Sequence, residues 1–422
     1  MLRAVTTTVP SRPAPPVDLT ETELYRWGFP HEIFTALRRE APVTWQEFPD
    51  HGFEEANDRG FWVITRHEDV QAANRDTETF SASDGPSLAG RDHMRGTMLV
   101  SMDAPAHTRQ RKLISAGFTP RMIGRLEERA RRWAVAIVES ALEKGTCNFV
   151  TELAYQLPMH MIADIIGIPL SEREWLFNLT TDFLQGSDPQ RNLSPEQRRG
   201  IELQMFEYAQ QLGKDKRQNP KDDVWTLLST VEVQTDEGET TQLGELELDM
   251  FFLLLSVAGS ETTRNAISGG LVALTENPDQ LELLRRDPDA MRPAAEEILR
   301  WVSPVSYFAR RANRDTEICG MPIAAGERIT LWYPSANRDE NAFEDPFRFD
   351  ITRTHNPHVS FGGGGAHFCL GAHLARREIA IMFEELLKRV NEIEILGPPT
   401  YGAMGIFNPI LSAMSELPVR LA

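Results

Sequence analysis

Between Leu246 and Pro278 the chain reads LELDMFFLLLSVAGSETTRNAISGGLVALTENP, acidic near its start and apolar nearly all round in its first half. Acids at the start and a proline at the end bound a long helix, and a helix apolar on every side is buried. The stretch AGSETT interrupts this pattern where a buried helix should be least polar. Ala258 and Gly259 leave room for something bulky to lie against the helix. Thr262, one turn beyond Ala258, can bond back to that residue's carbonyl and loosen the local ladder. Glu261 adds an ionisable group beside it. A polar turn at a solvent-facing kink is the simplest alternative, but here small residues, an acid and an alcohol coincide in a buried helix.

Most of the remaining chain also has helical periodicity. IFTALRREAP (33–42), GRLEERARRWAVAIVESALEK (124–144) and LPMHMIADIIGIP (157–169) place apolar residues at helical spacing. GFWVITRHEDV (60–70) predicts a strand leading into a helix. TEICGMPIAAGERITLWYPSANRD (316–339) predicts short strands joined by Gly-Met-Pro and Ala-Gly-Glu turns. Residues 81–97, 185–200 and 213–223 read as polar loops, and no internal repeat or clean linker is visible. The expected fold is mainly α with a smaller β portion. Residues 1–20 are expected to form a flexible, proline-rich lead and 21–422 a single domain.

Composition narrows the setting. The 422 residues are 41% hydrophobic and 25% charged, as in an ordinary soluble globular protein. A net charge of −18 argues against non-specific nucleic-acid binding. Cys147, Cys319 and Cys369 lie far apart, which argues against a disulfide framework and fits a reducing cytoplasm. The longest apolar run, near MFFLLLSVAG, is about ten residues, too short for a membrane anchor.

Cys369 lies in FGGGGAHFCLGAHLARREI, residues 361–379. Four glycines, Gly362 to Gly365, free the backbone to turn sharply and approach a flat ligand. After the cysteine the pattern turns helical, with Leu370, Leu374, Ile379 and Ala380 near one face and Arg376, Arg377 and Glu378 away from it. A cysteine at a helix N-terminus meets free amides and a dipole that favour the thiolate, a good axial ligand for haem iron. The phosphate-cradle reading lacks its Lys-Ser/Thr, and a zinc site from His367, Cys369 and His373 lacks a fourth ligand. From this stretch alone, an inert cysteine and a haem ligand both remain open. Further upstream, AAEEILRW sets Glu297 and Arg300 on one helical face, with Arg348 in DPFRFD as a candidate third member.

In this order AGSETT, EEILR, DPFRFD and GGGGAHFCLG, together with DAPAHTRQRKLISAGFTPR at 103–121, resemble the cytochrome P-450 superfamily of haem-thiolate monooxygenases across essentially the whole chain. The resemblance implies haem b between the long central helix and the cysteine loop, with Cys369 as proximal iron ligand and dioxygen as co-substrate. It implies Glu261 and Thr262 as the acid–alcohol pair of oxygen activation, and Glu297, Arg300 and Arg348 as a structural triad. His107, Arg111, Arg310 and His367 match the family's propionate contacts. Ala258, Gly259, Phe361 and Gly371 would border the cofactor. The family's loop carries phenylalanine seven residues before the cysteine; here Phe361 lies eight before, and Gly362 stands in that place.

The longer loop most resembles actinobacterial enzymes that hydroxylate chain ends of methyl-branched lipids and sterols. The family's substrate segments correspond here to Met98, Leu99, Phe183, Val257, Val305, Phe308 and Ile406, an apolar set suited to a lipid. A polyketide or terpenoid hydroxylase is the alternative. A haem sensor without turnover would not need Glu261 and Thr262. No flavin or nicotinamide fingerprint is present, so electrons must come from a partner. Resemblance to the bacterial three-component type implies ferredoxin and ferredoxin reductase, with Arg109, Arg111, Lys112, Arg376 and Arg377 positioned to steer an acidic donor.

Overall fold

The computed structural model describes residues 12–49, 58–88, 95–116, 118, 120–184, 193–234, 238, 240–403, 406 and 408–422. Its helices are α1 (His31–Glu40), α2 (His67–Arg75), α3 (Ala106–Ala116), α4 (Pro120–Lys144), α5 (Gln156–Ile166), α6 (Leu170–Leu184), α7 (Pro195–Gln218), α8 (Val224–Thr230), α9 (Glu245–Glu276), α10 (Pro278–Arg286), α11 (Met291–Val302), α12 (Tyr333–Ala336) and α13 (Ala372–Arg389). Its strands are β1 (Val43–Glu47), β2 (Gly60–Ile64), β3 (Phe80–Ser81), β4 (Thr146–Asn148), β5 (Glu232–Gln234), β6 (Thr240–Gln242), β7 (Tyr307–Ala312), β8 (Thr316–Ile318), β9 (Met321–Ile323), β10 (Arg328–Trp332), β11 (Ile393–Ile395), β12 (Thr400–Ala403), β13 (Ser412–Glu416) and β14 (Pro418–Leu421). Five strands form one sheet in the order β1-β2-β10-β7-β3, with β2 and β10 parallel and the other pairs antiparallel. The expected mainly helical fold with a smaller β portion is what the chain adopts.

The local chemistry explains the element boundaries. Helix α5 stops at Gly167, whose φ of 75° closes the helix in the left-handed region that glycine tolerates. Helix α9 begins where Glu247 accepts the Gly244 N–H at 2.9 Å and ends before Pro278. Ser194 caps α7, with Gln197 bonding back and Pro195 in the first turn. This cap corrects two loop expectations: 195–200 and 213–218 are the two ends of α7, whose polar sequence covers an exposed face. The expected loops over 81–97 and 185–194 lie partly outside the described residues, as does the expected flexible lead over 1–20. Its described part is a correction: the Trp45 N–H donates to the Pro13 carbonyl at 2.8 Å, the Leu19 N–H donates to Gln46 at 2.9 Å, and Leu19 is buried, because this stretch lies along β1.

The large core gathers α4, α5, α9, α11 and α13 around residues such as Leu153, Ile166, Phe252, Ile267 and Phe383. Where α9 meets its neighbours it is shaved by glycine: a Cβ on Gly270 would stand 2.9 Å from Ile298 and 3.1 Å from Phe383. The sheet is buried on both faces. Trp62 and Ile64 of β2 join a cluster with Ile329 and Tyr333, while Phe61 and Val63 join one with Phe34, Tyr307 and Trp332. A two-sided burial explains why β2 is apolar without alternation. Among the described residues no single helix is long and apolar enough to cross a membrane.

Candidate active site

In the middle of α9 the burial expected of a core helix fails on one side. Ala258 is exposed, and Leu255 and Thr262, three and four residues away on the same face, are partly open. The Thr262 hydroxyl donates to the Ala258 carbonyl at 2.8 Å, as the sequence predicts. Gly259 is a correction, because the side it leaves bare faces α5. A Cβ there would lie 2.9 Å from Ile162 Cδ1, so its smallness serves helix packing.

Glu261 is also placed differently from expectation. It is buried on the flank of α9, and Arg264 Nη2 lies 2.7 Å from its Oε2. The contact is ionic in distance, but neither carboxylate oxygen has a well-directed hydrogen-bond donor. Burial raises the Glu261 carboxyl, and Arg264 only partly opposes it. The acid is therefore buried against Arg264.

Cys369 lies three residues before the start of α13, and its amide donates to the Phe361 carbonyl at 3.1 Å. Its sulfur is accessible, yet protein packs closely enough around it that burial pushes the thiol up. The Gly371 amide, Arg111, Arg376 and the Ala372 amide pull the other way without winning. The helix-end amides are thus present, but they do not make a thiolate unaided; a coordinated metal ion would supply that charge.

All four loop glycines have positive φ, 92°, 65°, 104° and 81° from Gly362 to Gly365. The bare sides of the last two press on α2: a Cβ on Gly365 would lie 2.8 Å from the Asn74 carbonyl, and one on Gly364 3.0 Å from Arg75 Nε. Phe361 packs, partly buried, against the helical core. The Arg376 guanidinium sits 4.4 Å from its ring centre and also pairs with Glu296. Burial tends to raise Glu296, but hydrogen bonds from His358 and Arg376 bring it down to about 2. Neither Glu296 nor His358 is recognisable by sequence pattern, since both act through contacts between distant segments.

A basic cluster adjoins the cysteine. The rings of His107 and His367 lie 4.2 Å apart, and His107 Nε2 is buried without a partner. His367 is lowered to about 3, first by burial and then by Arg310, His107 and Arg111. Arg310 is buried, bonding only the Ala309 carbonyl and Asn74, and Arg111 donates to the Phe368 carbonyl. Of the acids, Asp103 alone enters the electrostatics of His107 and Arg310. Such a surplus of buried positive and donor groups, with an orphaned imidazole, fits the two carboxylates of a haem. The exposed Cys369 beside this cluster adds a sulfur donor that fits haem iron. Among the described residues no three His, Cys, Asp or Glu side chains gather as a separate metal cluster.

The scaffold pair is fully buried. Arg300 donates to Glu297 through Nε at 2.8 Å and Nη2 at 2.7 Å, and its other N–H groups reach the carbonyls of Asn337, Pro346 and Arg348. The third member is Arg353, whose Nε lies 3.4 Å from Glu297 Oε2. Arg348 is exposed and contributes its carbonyl alone, because the turn at 345–353 carries the later arginine inward. Asn337 also ties this pair to the cysteine loop, accepting from the Val359 N–H and donating to Ser360.

The apolar candidates divide. Met98 and Phe183 pack partly buried on the helical core, which encloses Leu99, and Val257 is partly open on α9. Phe308 lies on the face of β7 that also carries Arg310, and Val305, just before the strand, packs against the same cluster. Ile406 is a correction: at 2% exposure it is enclosed with Tyr25, Leu88 and Tyr307 behind the sheet. The basic candidates are engaged locally, Arg109 with Thr241 and Glu247, Lys112 with the Gln234 carbonyl, and Arg377 with Glu127.

The family model described as cytochrome P-450 matches residues 23–391. A steroid C26-monooxygenase of Rhodococcus jostii is 39% identical over 93% of this chain and 83% of its own length. A methyl-branched lipid omega-hydroxylase of Mycobacterium bovis is 37% identical over 99% of this chain and 98% of its own. Among solved structures, Mycobacterium marinum cytochrome P-450 CYP268A2 in complex with pseudoionone matches at a TM-score of 0.88 and 35% identity, covering 97% of this chain and all of that one. The chain belongs to the cytochrome P-450 family. It is a haem-thiolate monooxygenase that uses dioxygen and electrons from a redox partner.

Proposed function

We infer that the chain hydroxylates the terminal carbon of a methyl-branched fatty acid or a sterol side chain, with haem b held by Cys369 and electrons delivered by a ferredoxin and its reductase. The balanced reaction consumes one C–H bond, dioxygen, two electrons and two protons, and yields an alcohol and water. The observation that carries the reading is the open face of α9 at Ala258 and Thr262 in the same helical body as the exposed Cys369. The names of its relatives, a steroid C26-monooxygenase and a methyl-branched lipid omega-hydroxylase, support the substrate class.

When bound, the haem supplies oxygen activation, with the thiolate donating electron density to the iron. The chain's own residues do the rest. His107, His367, Arg310 and Arg111 hold the propionates, and Arg376 with Phe361 keeps the cysteine loop in place. Thr262 presents a hydroxyl at the open face, and Glu261 holds a proton whose transfer requires leaving Arg264. Val305 and Phe308 present an apolar surface to a chain end. Residues 21–422 act as one unit in the cytoplasm, consistent with three unpaired cysteines.

The test is the spectrum of the reduced protein under carbon monoxide, followed by titration with an iso-branched hexadecanoic acid and with cholesterol. A thiolate-type band and a low-to-high-spin shift with one lipid class are expected. Cys369→Ala should abolish the band; a variant retaining it would remove Cys369 from the iron. A spin shift only with polyketides or terpenoids would move the substrate to secondary metabolism.

A further inference from the structure

Strand β7 has two faces with different duties. Phe308 and Arg310 point toward the basic cluster, while Tyr307 and Ala309 point into the core behind the sheet. Two chain segments flank this strand. The first, residues 81–88, lies on it through the Ala309 N–H, which donates to the Pro86 carbonyl at 2.8 Å. The second, around 406–411, meets its start through the Ser306 N–H, which donates to the Pro409 carbonyl at 2.8 Å.

One side chain joins both. The Tyr307 hydroxyl, fully buried, accepts from the Leu88 N–H at 3.4 Å and donates to the Ile406 carbonyl. Leu88 is held at its other end as well, since Arg328 donates to its carbonyl. Asp84, four residues earlier, pairs with Arg95 and Arg311, and the Ala82 N–H donates to Asp103 at 2.9 Å. Asp103 lies just before the helix that carries His107. The segment is therefore fastened at several points, and the Tyr307 hydroxyl bridges it to Ile406.

We propose that Tyr307 is a positioning residue for substrate: its hydroxyl holds these two segments in one arrangement around β7 and so fixes where Phe308, on the opposite face, meets the substrate chain. It touches neither substrate nor haem. A phenylalanine there would keep the ring's packing against Trp332, 5.3 Å away, and lose both bonds. The proposal rests on the hydroxylase reading for its natural readout, so the test includes one that does not.

Tyr307→Phe is compared with Tyr25→Phe, which removes a hydroxyl from the same core that bonds only the Leu19 carbonyl, at 2.9 Å. Both variants should keep the carbon monoxide spectrum. With the iso-branched hexadecanoic acid, Tyr307→Phe should raise KM about fivefold, leave kcat within about twofold, and turn a single product into a mixture of positions. Tyr25→Phe should keep the wild-type product. In parallel, the affinity ratio between imidazole and a bulky triphenylmethyl imidazole, read from the haem spectrum, should change in Tyr307→Phe alone. Matching product patterns and azole ratios in the two variants would overturn the proposal. If the wild type oxidises no lipid, the substrate reading fails, and the azole ratio alone decides the role of Tyr307.

Discussion

Two buried Glu–Arg pairs in this molecule share the same three-residue helical spacing and have opposite surroundings. Glu297 and Arg300 on α11 are saturated: besides two bonds from Arg300, the carboxylate accepts from the Asp350 N–H at 2.9 Å and Asn356 at 3.1 Å. Glu261 and Arg264 on α9 share a single close contact, with both carboxylate oxygens and Arg264 Nε lacking hydrogen-bond partners. The first pair is locked from every side and supports the cysteine loop through Asn337 and Ser360. The second is buried on the flank of α9 with its remaining polar atoms unsatisfied. A buried charge pair is stable when its remaining donors and acceptors are satisfied, and mobile or protonatable when they are not. The difference separates a saturated pair from an unsaturated one, although the sequence spacing is identical.

Breaking the scaffold pair should have the largest effect. Glu297→Gln leaves Arg300 and Arg353 without their counter-charge and should cost about 3–5 kcal/mol, with loss of haem, as read by chemical unfolding and the Soret band. A variant that unfolds at the wild-type denaturant concentration would mean that the carbonyl partners of Arg300 suffice.

A third buried glutamate sharpens the comparison. Glu378 on α13 was expected on the outer face, but it is 4% exposed, and its Oε2 has no partner. Its place on the helix follows the turn that buries Ile381 and Met382 against α4 and α9. Burial alone raises this carboxyl from 4.5 to about 8. The folded chain then keeps a proton that the unfolded chain loses. Its stability should therefore fall by about 1.4 kcal/mol per pH unit between the unfolded and folded values and level off above the latter. Glu378→Gln should remove that slope, so that its melting temperature exceeds the wild type's at pH about 8 and converges with it near pH about 5. Parallel pH profiles would show that water or another group already satisfies the carboxylate.

The smallest effect on stability and a large one on turnover are expected at Thr262. Thr262→Ala loses only a bond to its own helix and should change stability by no more than about 0.5 kcal/mol. Electron use should uncouple from product, with more peroxide released per NADPH in the reconstituted system. Equal coupling in variant and wild type would remove Thr262 from proton delivery, and Glu261 with it.

The sequence by itself determined the elements whose cause is local. The burial of α9, its polar interruption, the Thr262 back-bond and the glycine turn before Cys369 follow from residue type and spacing, because helix periodicity and positive φ act within a few residues. The ordered motifs also sufficed for the family. What only the tertiary structure decided depends on segments far apart in sequence. Arg353 replaces Arg348 in the triad because of how a turn folds over α11. Gly259 faces Ile162, Ile406 lies behind the sheet, and the helix-end amides at Cys369 lose to burial because neighbouring elements set its dielectric surroundings. Hydrogen bonding and desolvation are set by whatever packs alongside, and no pattern within one segment carries that information.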